Sequence, residues 1–188
     1  MENEILYSTK FLQLKAYSRQ NGAKWVYAHR PNAKDVVVIV PVIKKDDKEY
    51  ILFLITKRPP IFCENKAQFC LEMPAGLVGD INENEDILAA IKRELKEESG
   101  YEAQEIKIVS RKISSSAGLT SETSTIAIAY IDGDIEHDKP TDNDGGVIIE
   151  KKLVEKNKVL NFIQDFEKQG NAIGAQTLCG LFFAFFGN

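Results

Sequence analysis

The 188-residue sequence predicts an α/β fold, because apolar runs typical of β-strands alternate with amphipathic helical patterns. Residues 35 to 43 form a continuous apolar run, which is typical of a strand buried on both faces. Apolar residues recur at helical spacing in residues 82 to 100 and again between Val159 and Phe166. These three observations place the chain in the mixed α and β class.

The composition is that of an ordinary soluble globular domain, with 44% hydrophobic and 28% charged residues. A net charge of −4 and the lack of a basic tail argue against nucleic acid as the main partner. The N-terminus lacks the apolar core of a signal peptide, and the longest apolar run, residues 178 to 186, is too short to span a bilayer. Cys63, Cys70 and Cys179 form no CxxC pair, which favours reduced thiols and a cytoplasmic location.

Residues 1 to 33 are predicted to form a small antiparallel β appendage. Residues 4 to 17 alternate as strands do, and Asn21-Gly22 is a strong hairpin signal before a returning strand. An appendage of this size cannot hold a core of its own, so we expect it to pack on a partner and predict a homodimer. Residues 34 to 188 would then form the main domain.

The main domain alternates predicted strands with predicted helices. The segment from residue 114 to 124 is polar and predicted to be a flexible loop, and residues 132 to 146 are predicted to be an acidic, solvated loop. Residues 61–69 are predicted to be a further loop. The predicted strands are residues 35–43, 50–56, 106–113, 125–131 and 147–154, and the predicted helices are residues 82–100, 159–170 and 172–186.

The first predicted helix carries carboxylates in an unusual position. Asn82 resembles the start of a capping box and Gly100 a helix-ending glycine. The apolar stripe of this helix continues into Glu94 and Glu98, with Glu97 beside them. Carboxylates at the rim of a buried stripe resist ionising unless a cation lies among them, and all-oxygen ligands suit Mg²⁺ or Mn²⁺. The alternative interpretation is that these charged residues are simply exposed to solvent. The stripe consists of Ile87, Ala90, Ile91 and Leu95.

The same segment resembles the Nudix box, G-x5-E-x7-R-E-U-x-E-E-x-G-U, at every spacing. The resemblance implies Mg²⁺-dependent hydrolysis of a nucleoside diphosphate linked to another group, on an α/β/α sandwich with a mixed central sheet. The matching residues are Gly79, Glu85, Arg93, Glu94, Leu95, Glu97, Glu98, Gly100 and Tyr101.

Further motifs resemble those of the ADP-ribose and ADP-sugar pyrophosphatases. They are Arg58-Pro59-Pro60, the run from Glu72 to Gly76, and the run from Ala117 to Glu122. The resemblance implies that the Ala75 carbonyl joins Glu94 and Glu98 as a metal ligand, and that Glu97 shares a further ion. It also implies that the appendage is exchanged between subunits.

Substrate contacts and the general base follow from the same resemblance. It implies that Arg58 holds the phosphates, that Trp25 stacks on adenine, and that Gly118 lies at the substrate. Simple packing is the alternative for Trp25. Glu122 matches a proposed catalytic base, with Glu97 and the acids of residues 132 to 144 as alternatives. Independently of the resemblance, Arg93 lies off the carboxylate face of the predicted helix and is therefore assigned to orienting a glutamate rather than to substrate.

The favoured reaction is therefore the hydrolysis of ADP-ribose to AMP and ribose 5-phosphate. A pyrophosphatase for another nucleoside diphosphate sugar, such as GDP-mannose, stays open. So does a ligand-sensing Nudix domain without turnover, although such domains often lose box carboxylates that this chain retains.

Overall fold

The computed structural model describes residues 3–79, 82–135, 137–141 and 144–187. Short 3-10 segments lie at Asp144–Gly146 and Lys156–Lys158. The helices are α1 (Pro59–Asn65), α2 (Ile87–Ser99), α3 (Val159–Lys168) and α4 (Ala175–Phe186). The strands are β1 (Asn3–Ser8), β2 (Gln13–Ser18), β3 (Lys24–His29), β4 (Asp35–Lys45), β5 (Lys48–Thr56), β6 (Cys70–Glu72), β7 (Ala75–Val78), β8 (Glu105–Ile113), β9 (Ser124–Asp132), β10 (Ile148–Glu155) and β11 (Ala172–Ile173).

The main sheet has eight strands and mixes parallel with antiparallel pairs. Its principal order is β11-β6-β5-β4-β9-β8, with β10 paired to β5 and β7 paired to β4. The central pair, β4 and β9, is parallel, while β4 and β5 form an antiparallel hairpin. The mixed sheet predicted from the sequence is therefore confirmed.

Helices cover both faces of this sheet because β4 buries alternate side chains on opposite sides. Val37 and Ile39 lie in one apolar cluster with Ile91 of α2. Val38 and Val40 lie in a second cluster, which includes Phe166 of α3 and Leu181 of α4. The continuous apolar run seen in the sequence is thus a strand buried between two helical layers.

The appendage is a separate antiparallel sheet in the order β1-β2-β3. Gly22, at the tip of the predicted hairpin between β2 and β3, has φ +81°, a conformation that glycine adopts without strain. Ala16 is buried, whereas large apolar side chains on these strands and their turns are exposed. The exposed set includes Ile5, Leu6, Tyr7, Phe11, Leu12 and Leu14.

Several predicted boundaries differ from those observed. Helix α2 begins at Ile87, where the Asp86 side chain accepts a hydrogen bond from the Ala89 N–H at 2.8 Å, so the predicted start at Asn82 was wrong. Helix α1 overlaps the predicted loop of residues 61–69, and β6 and β7 were not predicted. The predicted helix of residues 172–186 begins too early, because Ala172 and Ile173 form β11 and α4 begins at Ala175. Within the predicted acidic loop, residues 136, 142 and 143 lie outside the described part of the chain. Among the described residues, no helix is long and apolar enough to cross a membrane.

Candidate active site

Helix α2 supplies the carboxylates of the candidate site. Its apolar stripe is held in the core, with Ile91 fully buried and Leu95 1% exposed. Glu94 and Glu98 follow that stripe at helical spacing and are only 8% and 6% exposed. The Glu97 side chain is about one-third exposed. The helix therefore places two buried carboxylates and one accessible carboxylate along one edge.

Arg93 links these carboxylates to the start of the helix. Its Nη1 atom donates to Glu94 Oε1 at 2.6 Å and to Glu97 Oε2 at 3.1 Å. Its Nε atom donates to Glu85 Oε1 at 2.8 Å, and Nη2 donates to the Leu77 carbonyl oxygen at 3.1 Å. The hydrogen bond with Glu85 contributes most to raising the pKa of Arg93. One guanidinium thus fixes the orientation of glutamates on both sides of it.

The turn between β6 and β7 brings backbone against the same carboxylates. The Ala75 N–H donates to Glu98 Oε2 at 3.0 Å. A Cβ atom at Gly76 would overlap the Glu94 carboxylate, so any larger residue there would displace that carboxylate from its present position. The Pro74-Ala75-Gly76 segment therefore packs directly on the acidic edge of α2.

Glu98 is unusually reluctant to ionise in this setting. Burial raises the pKa of Glu98 to about 8, the Ala75 N–H opposes that effect, and the charges on Glu94 and Asp144 add to it. A carboxylate in this environment is stabilised as an anion when positive charge comes close to it.

The types of donor at this edge fit a hard divalent cation, since every candidate ligand is a carboxylate or carbonyl oxygen. Within the described residues, however, no group of three or more His, Cys, Asp or Glu side chains is arranged to enclose a metal ion. Arg93 holds oxygens of Glu94 and Glu97, and the Ala75 N–H holds an oxygen of Glu98. A carboxylate has two oxygens, so a bound cation would share these carboxylates with their present donors.

Arg58 lies across the site between two further carboxylates. Its Nε atom donates to Glu72 Oε2 at 2.8 Å, and Nη1 donates to Asp144 Oδ2 at 3.0 Å. Burial lowers the pKa of Arg58, but Glu72 and Asp144 more than offset that effect, so the net shift is upward. The guanidinium is 38% exposed and remains accessible from the cavity.

The loop that carries Glu122 is attached to the appendage. The Ala28 N–H of β3 donates to the Leu119 carbonyl oxygen at 2.8 Å, and the Ser121 N–H donates to the Ala28 carbonyl oxygen at 3.0 Å. Arg30 Nε donates to Glu122 Oε2 at 2.9 Å. The loop of residues 114 to 124, which was predicted to be flexible, is therefore hydrogen-bonded to β3 in the structure.

Trp25 and Gly118 form a second contact between β3 and the loop that carries Glu122. The Trp25 indole N–H donates to the Gly118 carbonyl oxygen at 2.9 Å, and the Arg19 guanidinium lies 4.2 Å from the centre of the Trp25 ring. The main cavity is the one lined by Arg58, Arg93 and the carboxylates of α2, and its described lining residues do not include Trp25 or Gly118. Within one chain, the structure does not bring these two predicted substrate contacts to the other site residues.

The other predicted residues line one cavity of about 560 Å³. Sequence reasoning assigned no role to Arg30, gave Asp144 only as one of the alternative bases among residues 132 to 144, and gave Glu72 none beyond its place in a motif, although all three line the cavity. No local pattern marks Arg30 or Asp144, because each reaches the site through a turn rather than a periodic element. The predicted residues found together are Arg58, Ala75, Arg93, Glu94, Glu97, Glu98 and Glu122.

The fold and this carboxylate-lined cavity define a class of enzyme. Residues 33–169 match the family described as the NUDIX domain. The match covers most of the chain, so the chain belongs to the Nudix family. The predicted family and the predicted α/β/α fold are both confirmed.

Individual relatives extend the comparison. The chain is 29% identical to "Putative nudix hydrolase 2" of Caenorhabditis elegans, over 93% of this chain and 80% of that one. It is 31% identical to the ADP-ribose pyrophosphatase of Saccharomyces cerevisiae, over 88% of this chain and 72% of that one. A solved structure titled "Crystal structure of ADP compounds hydrolase" superposes with a TM-score of 0.65 at 19% identity, over 98% of this chain and 90% of that one, which shows a shared fold.

Proposed function

We propose that the protein hydrolyses the diphosphate bond of a nucleoside diphosphate sugar, with ADP-ribose as the favoured substrate. The observation that carries this proposal is a single cavity in which the carboxylates of α2 face the arginines Arg30 and Arg58. Positive groups around the non-bridging oxygens of a diphosphate stabilise its charge, and a carboxylate can accelerate hydrolysis by accepting a proton from water. The yeast relative, named ADP-ribose pyrophosphatase, supports the choice of substrate.

In this mechanism Arg58 donates to a non-bridging oxygen of the substrate, and Arg30 lies in the same cavity to do likewise. A water molecule attacks one phosphorus atom, the bond from that phosphorus to the bridging oxygen breaks, and Glu122 accepts the proton of the water. The products from ADP-ribose are AMP and ribose 5-phosphate.

We further propose that Mg²⁺, with Mn²⁺ as a substitute, is held by Glu94, Glu97, Glu98 and the Ala75 carbonyl oxygen. When bound there, the ion would neutralise phosphate charge and lower the pKa of the attacking water. Arg93 keeps Glu94 and Glu97 on the cavity side of the helix through its own hydrogen bonds.

A panel of nucleoside diphosphate sugars, assayed with Mg²⁺ or Mn²⁺ and with the nucleotide products identified, tests the proposal. We expect ADP-ribose to be cleaved with the highest kcat/KM and to release AMP. A higher kcat/KM for GDP-mannose would instead identify a pyrophosphatase for another nucleoside diphosphate sugar. Tight binding of ADP-ribose without turnover would instead indicate a ligand-sensing domain.

The appendage is proposed to join two copies of the chain. Its exposed apolar side chains, such as Phe11 at 67% exposure, find no core within the described residues of β1 to β3. Because Trp25 lies outside the cavity of its own chain, we propose that it reaches a bound base only in a second copy. This arrangement would also give the exchanged appendage a role in substrate binding.

Mass measurement in solution tests this association. We expect a dimer at micromolar concentration, and a monomer after Phe11→Glu or Leu14→Glu, because a charge on the apolar contact opposes its burial. Leu160→Glu is the matched control, since Leu160 is 66% exposed on α3 and lies away from the appendage sequence. The proposal would be contradicted if wild type were a monomer and stayed a monomer after residues 1 to 30 were deleted.

A further inference from the structure

Arg58 is held at its inner end by a short chain of hydrogen bonds that begins in the core. Thr56, the last residue of β5, is 1% exposed and donates its hydroxyl to Glu72 Oε2 at 2.6 Å. The same Glu72 oxygen accepts from Arg58 Nε at 2.8 Å. The exposed fraction of the side chains rises along this series of hydrogen bonds, from the buried threonine to Glu72 at 25% and Arg58 at 38%.

The register of two strands explains why these groups meet. Strands β5 and β6 are antiparallel, with Thr56 opposite Cys70 and Leu54 opposite Glu72. Glu72 is therefore the diagonal neighbour of Thr56 on the same face of the sheet. Arg58 follows Thr56 by two residues and precedes the proline pair that starts α1. The backbone thus places Arg58 near the end of β6, the strand that carries Glu72.

The hydroxyl of Thr56 has one hydrogen and two acceptors within reach. The Cys70 carbonyl oxygen lies at 3.2 Å, and Glu72 Oε2 lies at 2.6 Å. A hydroxyl donates one hydrogen bond, and the shorter contact to a carboxylate is the stronger one. Thr56 therefore donates to Glu72 Oε2. This hydrogen bond fixes the position of the oxygen that also accepts from Arg58 Nε.

We propose that Thr56 and Glu72 are positioning residues that orient Arg58 so that its Nη atoms face the diphosphate of the substrate. This inference rests on the proposed function, because Arg58 is the group that would meet the phosphates. Binding of Glu72 at Nε leaves the outer edge of the guanidinium directed into the cavity, where Nη1 now donates to Asp144. A long side chain oriented before the substrate arrives loses less freedom when it binds.

The proposal predicts a specific kinetic change in Thr56→Val, which removes the hydroxyl at nearly constant volume. Ground-state and transition-state contacts of Arg58 weaken together, so KM for ADP-ribose should rise about tenfold while kcat stays within about threefold. Thr56→Ser, which restores the hydroxyl, should return KM to within about twofold of wild type. A merely structural threonine would alter thermal stability and leave KM unchanged.

A matched control exists on another strand. Thr125 is fully buried on β9 and donates its hydroxyl to Asp35 Oδ2 at the same 2.6 Å, but it does not line the main cavity among the described residues. Thr125→Val therefore removes an equivalent bond away from Arg58. We expect it to leave KM for ADP-ribose unchanged at temperatures where both variants are folded.

A double-mutant comparison decides whether Thr56 acts through Arg58. In an Arg58→Ala background, Thr56→Val should add no further rise in KM, because the group that it positions is absent. Additive effects on KM would overturn the proposal, as would an unchanged KM in Thr56→Val alone. Should Thr56→Val not fold, Glu72→Gln is measured in its place with the same expected outcomes.

A readout without turnover separates this inference from the proposed reaction. The Arg58 Nε–H signal in a ¹H–¹⁵N spectrum, assigned by its loss in Arg58→Lys, should be protected from exchange in wild type and unprotected in Thr56→Val. Equal protection in both proteins would overturn the positioning role. If wild type cleaves no substrate in the panel but the protection changes as expected, the proposed reaction fails and the positioning of Arg58 stands.

Discussion

The two walls of the cavity are supported very differently. On one side, α2 presents Glu94 and Glu98 beside Ile91 and Leu95, which are anchored in the apolar cluster under the main sheet. On the other side, Glu122 lies on a loop held by β3 of the appendage through the Ala28 backbone. The helix wall is fixed by a core, whereas the loop wall depends on a small, largely exposed sheet.

This contrast separates two kinds of function within one site. On α2, Glu94 and Glu97 lie close together with Arg93 as their shared counter-charge, and Arg93 also pairs with Glu85 before the helix. The loop wall carries a single carboxylate, and its ion pair with Arg30 is more exposed. Substitutions on the two walls should therefore differ both in size and in the kinetic parameter that they change.

The largest effect is expected for Glu97→Gln and Glu98→Gln on the helix wall. Each should lower kcat/KM by at least about 10²-fold, because stabilisation of transition-state charge by a bound metal amounts to several kcal/mol. Circular dichroism should show an intact fold. Glu102→Gln, at an exposed ion pair with Lys96, is the control and should keep its activity. Near wild-type turnover of either variant at saturating Mg²⁺ would refute the ligand assignment.

Glu122→Gln on the loop wall should lower kcat by about 10² to 10⁴-fold, the usual contribution of a general base. KM and the affinity for Mg²⁺ should change little, because proton transfer occurs only in the transition state. Steady-state kinetics across a magnesium titration measure all three quantities. Activity within a few-fold of wild type would pass the role to Glu97 or Asp144.

Glu85→Gln tests how firmly the helix wall is anchored. Hydrogen bonds from Arg93 hold the pKa of Glu85 below its ordinary value of 4.5, so its ionised form stabilises the fold above that pH. Losing this bond should cost about 2 kcal/mol of unfolding free energy near neutral pH. The difference from wild type should shrink as pH falls below the depressed pKa, because wild type then loses the same interaction. Urea denaturation at several pH values checks this, and a difference independent of pH would contradict it.

The smallest effect is expected for Trp25→Phe, which keeps an aromatic ring but removes the indole N–H that binds the Gly118 carbonyl oxygen. Loss of one neutral hydrogen bond on the loop should lower kcat about three- to tenfold. Trp25→Ala, which removes the ring as well, should also raise KM. Equal kinetic constants for wild type and Trp25→Phe would show that this bond does not position the loop.

Local sequence determined the helix wall and much of the fold. The apolar run of β4 and the helical phase of α2 predict which side chains are buried, because both depend only on the repeat of the backbone. The spacing of Glu94, Glu97 and Glu98 within one helix likewise fixes their shared edge, with Arg93 expected off that face. Boundaries were predicted less well, since the true cap, Asp86, lies four residues beyond the expected Asn82.

Only the tertiary structure decided how the rest of the cavity is assembled. Arg30 meets Glu122 across 92 residues, and Arg58 meets Asp144 across 86, so no local pattern relates them. The attachment of the Glu122 loop to β3 depends on backbone hydrogen bonds, which any residue but proline can make and which leave no signature in side-chain types. Trp25 is a predicted substrate contact whose residue type alone could not show that it lies outside the cavity of its own chain. The periodic pattern of side-chain types can be read from the sequence, whereas contacts between distant turns are determined by the packing of the sheet and the appendage.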